Sequence, residues 1–408
     1  MLVSGMESLA SEPLSLPVGV VGAGAMGSGI AQVAAQAGHP VFLVDAVEGA
    51  ALAAVERLRA DLERLAAKGK VDPQEVPATI RRIHAVLDVD ALPPCALVVE
   101  AIREDLGDKR ALFDRLAATQ PSETILASNT SSLDIAAIAQ GIPHPQRVIG
   151  LHFFNPPTRM RLVEVIRTDA ADPDVLDRAE SLVTSWGKTG VRCSSTPGFI
   201  VNRVARPFYG EAQRMLAEGI ADAATIDHTL RAAGFRMGPL ELTDLIGQDV
   251  NLAVGTSVWE QTGRDPRYAP TDAQRDLVGA GHLGRKSGRG VYAYDTGGAA
   301  LDAEPDLALA ERLVGGPVRT DPVARTLAML VTEAVELVAR GEASAADVDT
   351  AMRLGTNYPR GPIEWGAQIG FDVIAAQLAE LDAAYPGGRY RPSPALADAP
   401  AMLAQERR

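Results

Sequence analysis

Short apolar runs alternate with longer helix-favouring stretches from Val18 to about Cys193. The runs VGVVG, PVFLVD, LVVEAI, TILAS, VIGLHFF and LVEVI have the length and β-branched content of strands. The stretches after Gly24, Val47 and Glu104 are rich in Ala, Leu, Glu and Arg, which favour helix, and Gly and Pro punctuate most junctions. This alternation predicts an α/β domain with a doubly wound parallel sheet.

The pattern changes after Thr196, where strand signals nearly vanish and Ala-, Leu- and Glu-rich segments predict helices. The turn SSTPGF marks the change. Further on, the stretch from about 296 to 320 is rich in Gly, Ala and Asp, which predicts a linker with one helix inside it.

The helical region contains an internal repeat. GPLELTDLIG from Gly238 is similar to GPIEWGAQIG from Gly361, 123 residues later. A shift of 122 aligns four further pairs, so we expect a one-residue insertion and a compensating deletion in loops. These pairs are Glu211 with Glu333, Gly219 with Gly341, Asp227 with Asp349, and Arg267-Tyr268 with Arg389-Tyr390. The same shift places Ala324 opposite Asn202, so the second copy is predicted to be structural.

Composition narrows the class of protein. The formal net charge of -13 and the pI of about 5.0 argue against a nucleic-acid partner. No apolar run approaches the roughly 18 residues of a membrane span, and no Lys or Arg precedes the first apolar residues, so neither an anchor nor a signal peptide is expected. Cys95 and Cys193 are the only cysteines, and the histidines show no metal-ligand spacing. A reducing, cytoplasmic location without a metal site is therefore predicted.

Gly22, Gly24 and Gly27 have G-x-G-x-x-G spacing between the first predicted strand and an Ala-rich helix. The first glycine permits a tight turn, the second lets the backbone approach a pyrophosphate, and the third allows close packing of helix on strand. Asp45 ends the second predicted strand, where a carboxylate can bind the adenosine ribose and repel a 2'-phosphate. The pattern predicts a Rossmann-type domain that binds NAD rather than NADP. A glycine-rich turn with an unrelated aspartate is the alternative.

Four longer motifs carry a family resemblance. They are ASNTSSLDI from Ala127, GLHFFNPPTRMRLVEVI from Gly150, TPGFIVNRVARPF from Thr196 and GRKSGRGVYAY from Gly284. Together they resemble the 3-hydroxyacyl-CoA dehydrogenases, and the tandem helical copy is similar to the branch that contains 3-hydroxybutyryl-CoA and 3-hydroxyadipyl-CoA dehydrogenases. The resemblance implies NAD-dependent oxidation of an (S)-3-hydroxyacyl-CoA to a 3-oxoacyl-CoA, in the degradation of fatty acids or of aromatic acids by a phenylacetate-type route.

The resemblance also implies a catalytic set of His152, Glu164, Ser131 and Asn202. His152 ends an apolar strand, at the edge where parallel sheets bind ligands, and imidazole suits removal of the 3-hydroxyl proton. In the family's pattern Glu164 orients the imidazole, while Ser131 and Asn202 form hydrogen bonds with the substrate. The alternatives are a structural histidine, an exposed strand-end acid, and helix capping by one hydroxyl of the Ser/Thr run.

Further positions match the family's contacts with cofactor and substrate. Glu104, Lys109 and Asn155 are implied to contact NAD, and Lys68 and Ser131 to contact the acyl-CoA. Alternatively, Glu104 complements the dipole of the helix that it opens, Lys109 is a solvated charge, and Lys68 is only a charged helix end.

These inferences divide the chain into five segments. They are a disordered tail (1–16), an NAD-binding Rossmann domain (17–195), a helical C-terminal domain (196–295), a linker (296–320) and a degenerate helical copy (321–408). The fold class is thus a Rossmann-type doubly wound sheet followed by a duplicated all-α domain. We expect an acyl-CoA substrate and a homodimer or monomer, because the second copy could imitate the family's dimer contact. Two alternative functions remain. The protein could be a dehydrogenase of free 3-hydroxy acids, or a catalytically silent dinucleotide-binding or structural relative.

Overall fold

A computed structural model describes residues 16–301 and 303–406, which form two compact units. Unit 1 contains residues 16–129, 138–159 and 170–188, and unit 2 contains residues 130–137, 160–169 and the described residues from 189 onward. The predicted disordered tail lies outside the described residues, except for Leu16. No helix of the described part is long and apolar enough to cross a membrane.

Six strands form a parallel sheet in the centre of unit 1. They are β1 (Val18–Val21), β2 (Val41–Val44), β3 (Ile83–Val86), β4 (Leu97–Glu100), β5 (Ile125–Ser128) and β6 (Val148–Phe153). Their order is β3-β2-β1-β4-β5-β6, and every residue of β1, β4, β5 and β6 is buried. Burial on both faces explains the uninterrupted apolar runs. The chain order reverses between β1 and β4, which is where open α/β sheets bind ligands.

Helices connect these strands. They are α1 (Ala25–Gln36), α2 (Ala50–Ala67), α3 (Glu75–Arg81), α4 (Leu106–Thr119) and α5 (Ile135–Ala139), which begins in unit 2. A further helix of unit 1, α6 (Pro173–Ser185), comes later in the chain than β6. Aspartates set two of the starts: Asp105 accepts the N–H of Asp108 before α4, and Asp172 accepts that of Asp174 before α6. Such N-caps satisfy donors that a helix leaves unpaired.

Unit 2 has few strands and many helices. The strands are the parallel pair β7 (Leu162–Arg167) and β8 (Thr189–Ser194) and the short antiparallel pair β9 (Ala293–Tyr294) and β10 (Ala300–Leu301). The helices are α7 (Val201–Val204), α8 (Arg206–Ala217), α9 (Ala223–Ala232), α10 (Pro239–Ile246), α11 (Gln248–Gln261), α12 (Asp272–Gly279), α13 (Leu307–Leu313), α14 (Pro322–Ala339), α15 (Ala345–Thr356), α16 (Pro362–Ile369), α17 (Phe371–Ala384) and α18 (Ala395–Glu406). The predicted fold class, a Rossmann-type sheet followed by a helical region, is confirmed.

Four strands were missing from the sequence prediction, namely β3, β8 and the short pair β9 and β10. β3 is the edge strand of its sheet and exposes His84 and Ala85, and β8 alternates partly exposed with buried positions. Neither has the continuous apolar run on which the prediction depended. Their pairing with β2 and β7 decides their structure.

The repeat is visible in the helices, since α9 and α15 begin 122 residues apart, whereas α10 and α16 begin 123 apart. The extra residue therefore lies between the starts of α15 and α16, where α15 is longer than α9 and the loop that follows it is shorter. In each copy an aspartate, Asp227 or Asp349, accepts two backbone N–H groups of the following helix. A Cβ at Gly238 or Gly361 would lie within 2.2 Å of that aspartate. The repeated Gly-Pro start is thus required by close packing.

The two copies differ at their first helix. Copy 1 is divided into α7 and α8, whereas copy 2 has the single helix α14. Pro207 explains the interruption, because proline cannot donate to the carbonyl of Arg203, four residues earlier. Met329 occupies the corresponding position of α14, where the hydrogen bond is retained.

A buried cluster joins the copies around Glu211. Arg325 donates from Nε to Glu211 (2.9 Å) and from Nη2 to the Tyr390 hydroxyl (2.7 Å), and Arg389 also donates to Glu211 (2.9 Å). Burial raises the pKa of Glu211, but Arg389 and Arg325 outweigh it and lower the pKa to about 2. The carboxylate is therefore ionised inside the protein.

The repeat produces a second cluster with the copies exchanged. Arg203 donates from Nε to the Tyr268 hydroxyl (2.9 Å) and lies 3.4 Å from Glu333, which also pairs with Arg267 (3.2 Å). Each cluster thus combines the tyrosine of one copy with the glutamate of the other. Both copies are needed to neutralise these buried charges.

Candidate active site

The glycine turn between β1 and α1 has the geometry that the three predicted roles require. Gly22 has φ +108°, and a Cβ there would lie 2.4 Å from the carbonyl oxygen of Ala101. A Cβ at Gly27 would lie 1.8 Å from the oxygen of Gly22, so the helix packs too closely for a side chain. Gly24 has no atom within 4 Å of its Cβ position. The backbone at Gly24 is therefore open to a ligand, directly before the first N–H groups of α1.

Asp45 lies beside this turn, immediately after β2. Its Oδ2 accepts the N–H of Ala23 (2.7 Å), and its Oδ1 accepts the N–H of Val47 (2.9 Å). A cleft of about 830 Å³ is lined by Gly22, Gly24 and Asp45. The carboxylate is thus fixed where the adenosine ribose was predicted to bind.

Two arginines line the same cleft, and both already pair with carboxylates. Arg103 donates from Nε to Asp108, and Arg115 lies 2.6 Å from Asp88. A 2'-phosphate in this cleft would meet the negative charge of Asp45 and arginines that are already neutralised. The residues present therefore fit NAD better than NADP.

Lys109 is buried inside unit 1, so the interpretation as a solvated charge is wrong. Its Nζ lies 2.5 Å from Glu100 and 3.3 Å from Glu104. Glu100 also accepts a hydrogen bond from the Ser128 hydroxyl (2.5 Å), and both Glu100 and Ser128 have no exposed surface. The ion pair lies at the carboxyl ends of β4 and β5, next to the reversal of strand order.

The sequence interpretation missed Glu100 and misplaced Glu104. Glu100 is the last residue of the apolar run LVVE, and a carboxylate that ends a buried strand is a signal that could have revealed it. Glu104 does not open α4, because the helix begins at Leu106 with Asp105 as its N-cap. Its carboxylate pairs with Lys109 instead of meeting the helix dipole.

His152 is a buried residue near the end of β6, 6% exposed. Its ring lies 4.6 Å from that of Phe154. The N–H of the next residue, Phe153, donates to the side-chain oxygen of Asn129 (2.8 Å), which holds the end of β6 to the segment after β5. Because the strands are parallel, His152 lies at the same edge of the sheet as the glycine turn.

Glu164, Ser131 and Asn202 belong to unit 2, which brings them onto neighbouring segments. Glu164 has no exposed surface, and its Oε1 accepts the N–H groups of Ile200 (3.1 Å) and Val201 (2.9 Å) at the start of α7. The side chain of Asn202, on the same helix, donates to the backbone oxygen of Ser131 (3.5 Å). The interpretation of Glu164 as an exposed strand-end acid is therefore wrong.

The first two N–H groups of α5 donate to side chains outside the Ser/Thr run, that of Ile135 to Ser195 (2.9 Å) and that of Ala136 to Asp134 (3.0 Å), so these contacts do not support helix capping by a hydroxyl of the run. The Thr130 hydroxyl instead accepts the N–H groups of Ser132 (3.2 Å) and Leu133 (2.9 Å) in the loop before α5.

Two further predicted site residues are exposed. Asn155 lies directly after the HFF sequence, and Lys68 is the C-cap of α2. Among the described residues no group of His, Cys, Asp and Glu could hold a metal ion.

Comparison with known proteins identifies the family. The model of the "3-hydroxyacyl-CoA dehydrogenase, NAD binding domain" matches residues 17–196, and that of the "3-hydroxyacyl-CoA dehydrogenase, C-terminal domain" matches residues 198–294 and 322–402. The chain belongs to the 3-hydroxyacyl-CoA dehydrogenase family. It is an NAD-dependent dehydrogenase of the 3-hydroxyacyl-CoA class.

Relatives of this dehydrogenase match it over most of their own length. It is 41% identical to the 3-hydroxyadipyl-CoA dehydrogenase of Escherichia coli K12, over 92% of this chain and 95% of that protein. It is 43% identical to a probable 3-hydroxybutyryl-CoA dehydrogenase of Bacillus subtilis 168, over 68% of this chain and 96% of the relative. The crystal structure of 3-hydroxybutyryl-CoA dehydrogenase from E. coli K12 is similar with a TM-score of 0.85 and 39% identity, over 96% of this chain and 99% of that one.

Proposed function

We propose that this dehydrogenase oxidises an (S)-3-hydroxyacyl-CoA to the 3-oxoacyl-CoA with His152 as general base. The observation that carries the proposal is the position of His152. It is buried near the end of β6, at the edge of the sheet that also carries the open glycine turn. NAD, when bound, accepts the hydride from C3. The imidazole removes the proton of the 3-hydroxyl, because imidazole titrates nearest to neutral pH among side chains.

We further propose that Glu164 orients this imidazole and stabilises the imidazolium that forms. Two backbone N–H groups hold the Glu164 carboxyl group inside the protein, which supports an acid of fixed orientation. Ser131 and Asn202 serve as neutral hydrogen-bonding groups for the 3-oxygen. Because Ala324 replaces Asn202 in the second copy, one chain has one active centre.

The cofactor site uses Gly22, Gly24, Gly27 and Asp45 in the roles that their geometry supports. We propose that Glu104 and Asn155 contact the cofactor. Lys109 is proposed to fix Glu104 for this contact through their ion pair, since the lysine itself is 1% exposed.

The substrate is proposed to be a short acyl-CoA, such as the 3-hydroxybutyryl or 3-hydroxyadipyl thioesters for which the relatives are named. Lys68, exposed at the end of α2, is proposed to bind the CoA phosphates. The reaction belongs to the degradation of fatty acids or aromatic acids in the cytoplasm, and the enzyme is proposed to act as a monomer or homodimer without a nucleic-acid or membrane partner.

The experiment follows NADH absorbance with acetoacetyl-CoA as the second substrate. We expect turnover by the wild-type enzyme and a loss of about 10²- to 10⁴-fold in kcat for His152→Gln, the usual contribution of a general acid or base. NADH binding, measured by fluorescence titration, should be retained. His84→Gln, which changes an exposed histidine of β3, is the matched control and should have wild-type kcat.

Two results would contradict this proposal. Wild-type kcat in His152→Gln would remove the residue as the base. No turnover of any 3-oxoacyl-CoA by the wild-type enzyme would refute the proposed function as a whole.

A further inference from the structure

A small cavity of about 30 Å³ lies in unit 2, where helices α8 and α11 of copy 1 meet Arg389 of copy 2. Arg206 and Gln213 line it from α8, and Asn251 and Gly255 line it from α11. A single water needs roughly 10–15 Å³ of such volume, and a nucleotide or a CoA group needs far more. The cavity therefore suits one small occupant.

Three buried N–H groups of the lining side chains have no acceptor among the described residues. They are Nε of Arg206, Nε of Arg267 and Nε2 of Gln213. Gln213 is held in place at its other end, because its Oε1 accepts the Thr271 hydroxyl at 2.6 Å. A buried donor without an acceptor costs free energy, so each such group calls for a partner. Since all three atoms are donors, the missing partner must accept hydrogen bonds.

Arg206 carries a positive charge that no described carboxylate balances. Its Nη1 donates to the backbone oxygen of Asn251 at 3.4 Å, and its guanidinium lies 5.0 Å from the centre of the Tyr209 ring. Burial lowers the pKa of this guanidinium, because the surroundings disfavour its charged form. A counter-ion in the cavity offsets that penalty, since a paired buried charge is less costly than an isolated one.

The other two arginines of the wall are already neutralised. Arg267 pairs with Glu333 at 3.2 Å, and Arg389 pairs with Glu211 at 2.5 Å. Neither glutamate lines the cavity, and no described residue that lines it carries a carboxylate. The wall thus combines the unbalanced charge of Arg206 with unpaired N–H donors, and a negative ion satisfies both.

We propose that this cavity binds one small monovalent anion, with chloride as its occupant in solution. Arg206 supplies the charge, and Gln213 and Arg267 supply further N–H donors. A neutral water would leave the charge of Arg206 unbalanced. The ion takes no part in hydride transfer. It stabilises the folded protein, because the donors come together only when α8, α11 and the following segments are packed.

The test measures urea unfolding against chloride concentration, with potassium gluconate keeping the ionic strength constant. An ion that binds only the folded protein raises the folding equilibrium constant about tenfold for each tenfold rise in its concentration above Kd. We expect this dependence in the wild type and its loss in Arg206→Gln. Gly255→Ala should lose it as well. A Cβ there would lie 3.8 Å from Nη1 of Arg206, so the methyl group fits without a clash and occupies part of the cavity.

Arg236→Gln is the matched control, since it removes the same charge from an exposed arginine of copy 1 that does not line the cavity. It should keep the chloride dependence. Because Gly255→Ala places a good helix former in α11, this variant should fold even if Arg206→Gln does not. Chloride dependence that persists in either folded variant would overturn the inference.

Bromide gives a direct test of the position. Wild-type crystals soaked in sodium bromide should show an anomalous peak beside Nε of Arg206 and Nε2 of Gln213. No peak there would mean that water fills the cavity and would refute the proposal. A peak without any chloride dependence in solution would indicate an adventitious ion only, which would equally overturn it.

Discussion

Replacing Asp45 by alanine tests the cofactor site at the predicted ribose contact. The change removes two hydrogen bonds that the carboxylate accepts, from Ala23 at 2.7 Å and from Val47 at 2.9 Å. Because the side chain is only partly buried, water replaces part of what is lost, and we expect a loss of about 1–2 kcal/mol in the free energy of unfolding. The fold should survive this loss.

The effect on cofactor choice follows from Coulomb's law. A unit negative charge about 5 Å from a phosphate of charge about -2 is repelled by about 1.7 kcal/mol in water and about 7 kcal/mol at an effective dielectric constant of about 20. The partial exposure of Asp45 favours the lower part of this range. We expect Asp45→Ala to shift the ratio of kcat/KM for NADH over NADPH by about 10- to 100-fold towards NADPH. The KM for NADH should rise as the ribose contact is lost.

Steady-state rates with acetoacetyl-CoA and either cofactor measure this ratio. Glu48→Ala is the control, because it removes an exposed carboxylate three residues away that does not line the cleft. It should leave the ratio within about twofold. An unchanged ratio in a folded Asp45→Ala enzyme would show that Asp45 only supports the glycine turn and would refute its role in cofactor selection.

Buried charges provide the remaining predictions. Glu211→Gln should lower the free energy of unfolding by about 3–5 kcal/mol, measured with urea, because Arg389 would stay buried without a carboxylate and Arg325 would keep only Glu218. Arg389 and Arg325 overcome burial and lower the Glu211 pKa from 4.5 to about 2, so its stabilisation is present above pH 4.5 and lost as the pH falls towards 2. The variant should therefore show a shallower pH dependence of unfolding there, and an unchanged slope would contradict this. Lys109→Met should also lose about 3–5 kcal/mol, since Glu100 would remain buried without its cation; wild-type stability would show that the pair is dispensable.

The amino-acid sequence by itself determined the sheet, the glycine turn and the helical repeat. Buried parallel strands require continuous apolar runs, and β1, β4, β5 and β6 have them. Gly22 and Gly27 are needed for backbone conformation and for contacts within a few residues, so their spacing alone indicates the turn. Edge strand β3 lacks such a local signal and was missed.

Only the tertiary structure decides which charged residues are buried and which partners neutralise them. The local sequence around Lys109 and Glu164 does not show that both are buried, because their partners come from other elements. Glu211 is neutralised by arginines more than 100 residues away, in the other copy. Burial and charge pairing depend on which distant segments meet, and the local sequence pattern does not contain that information.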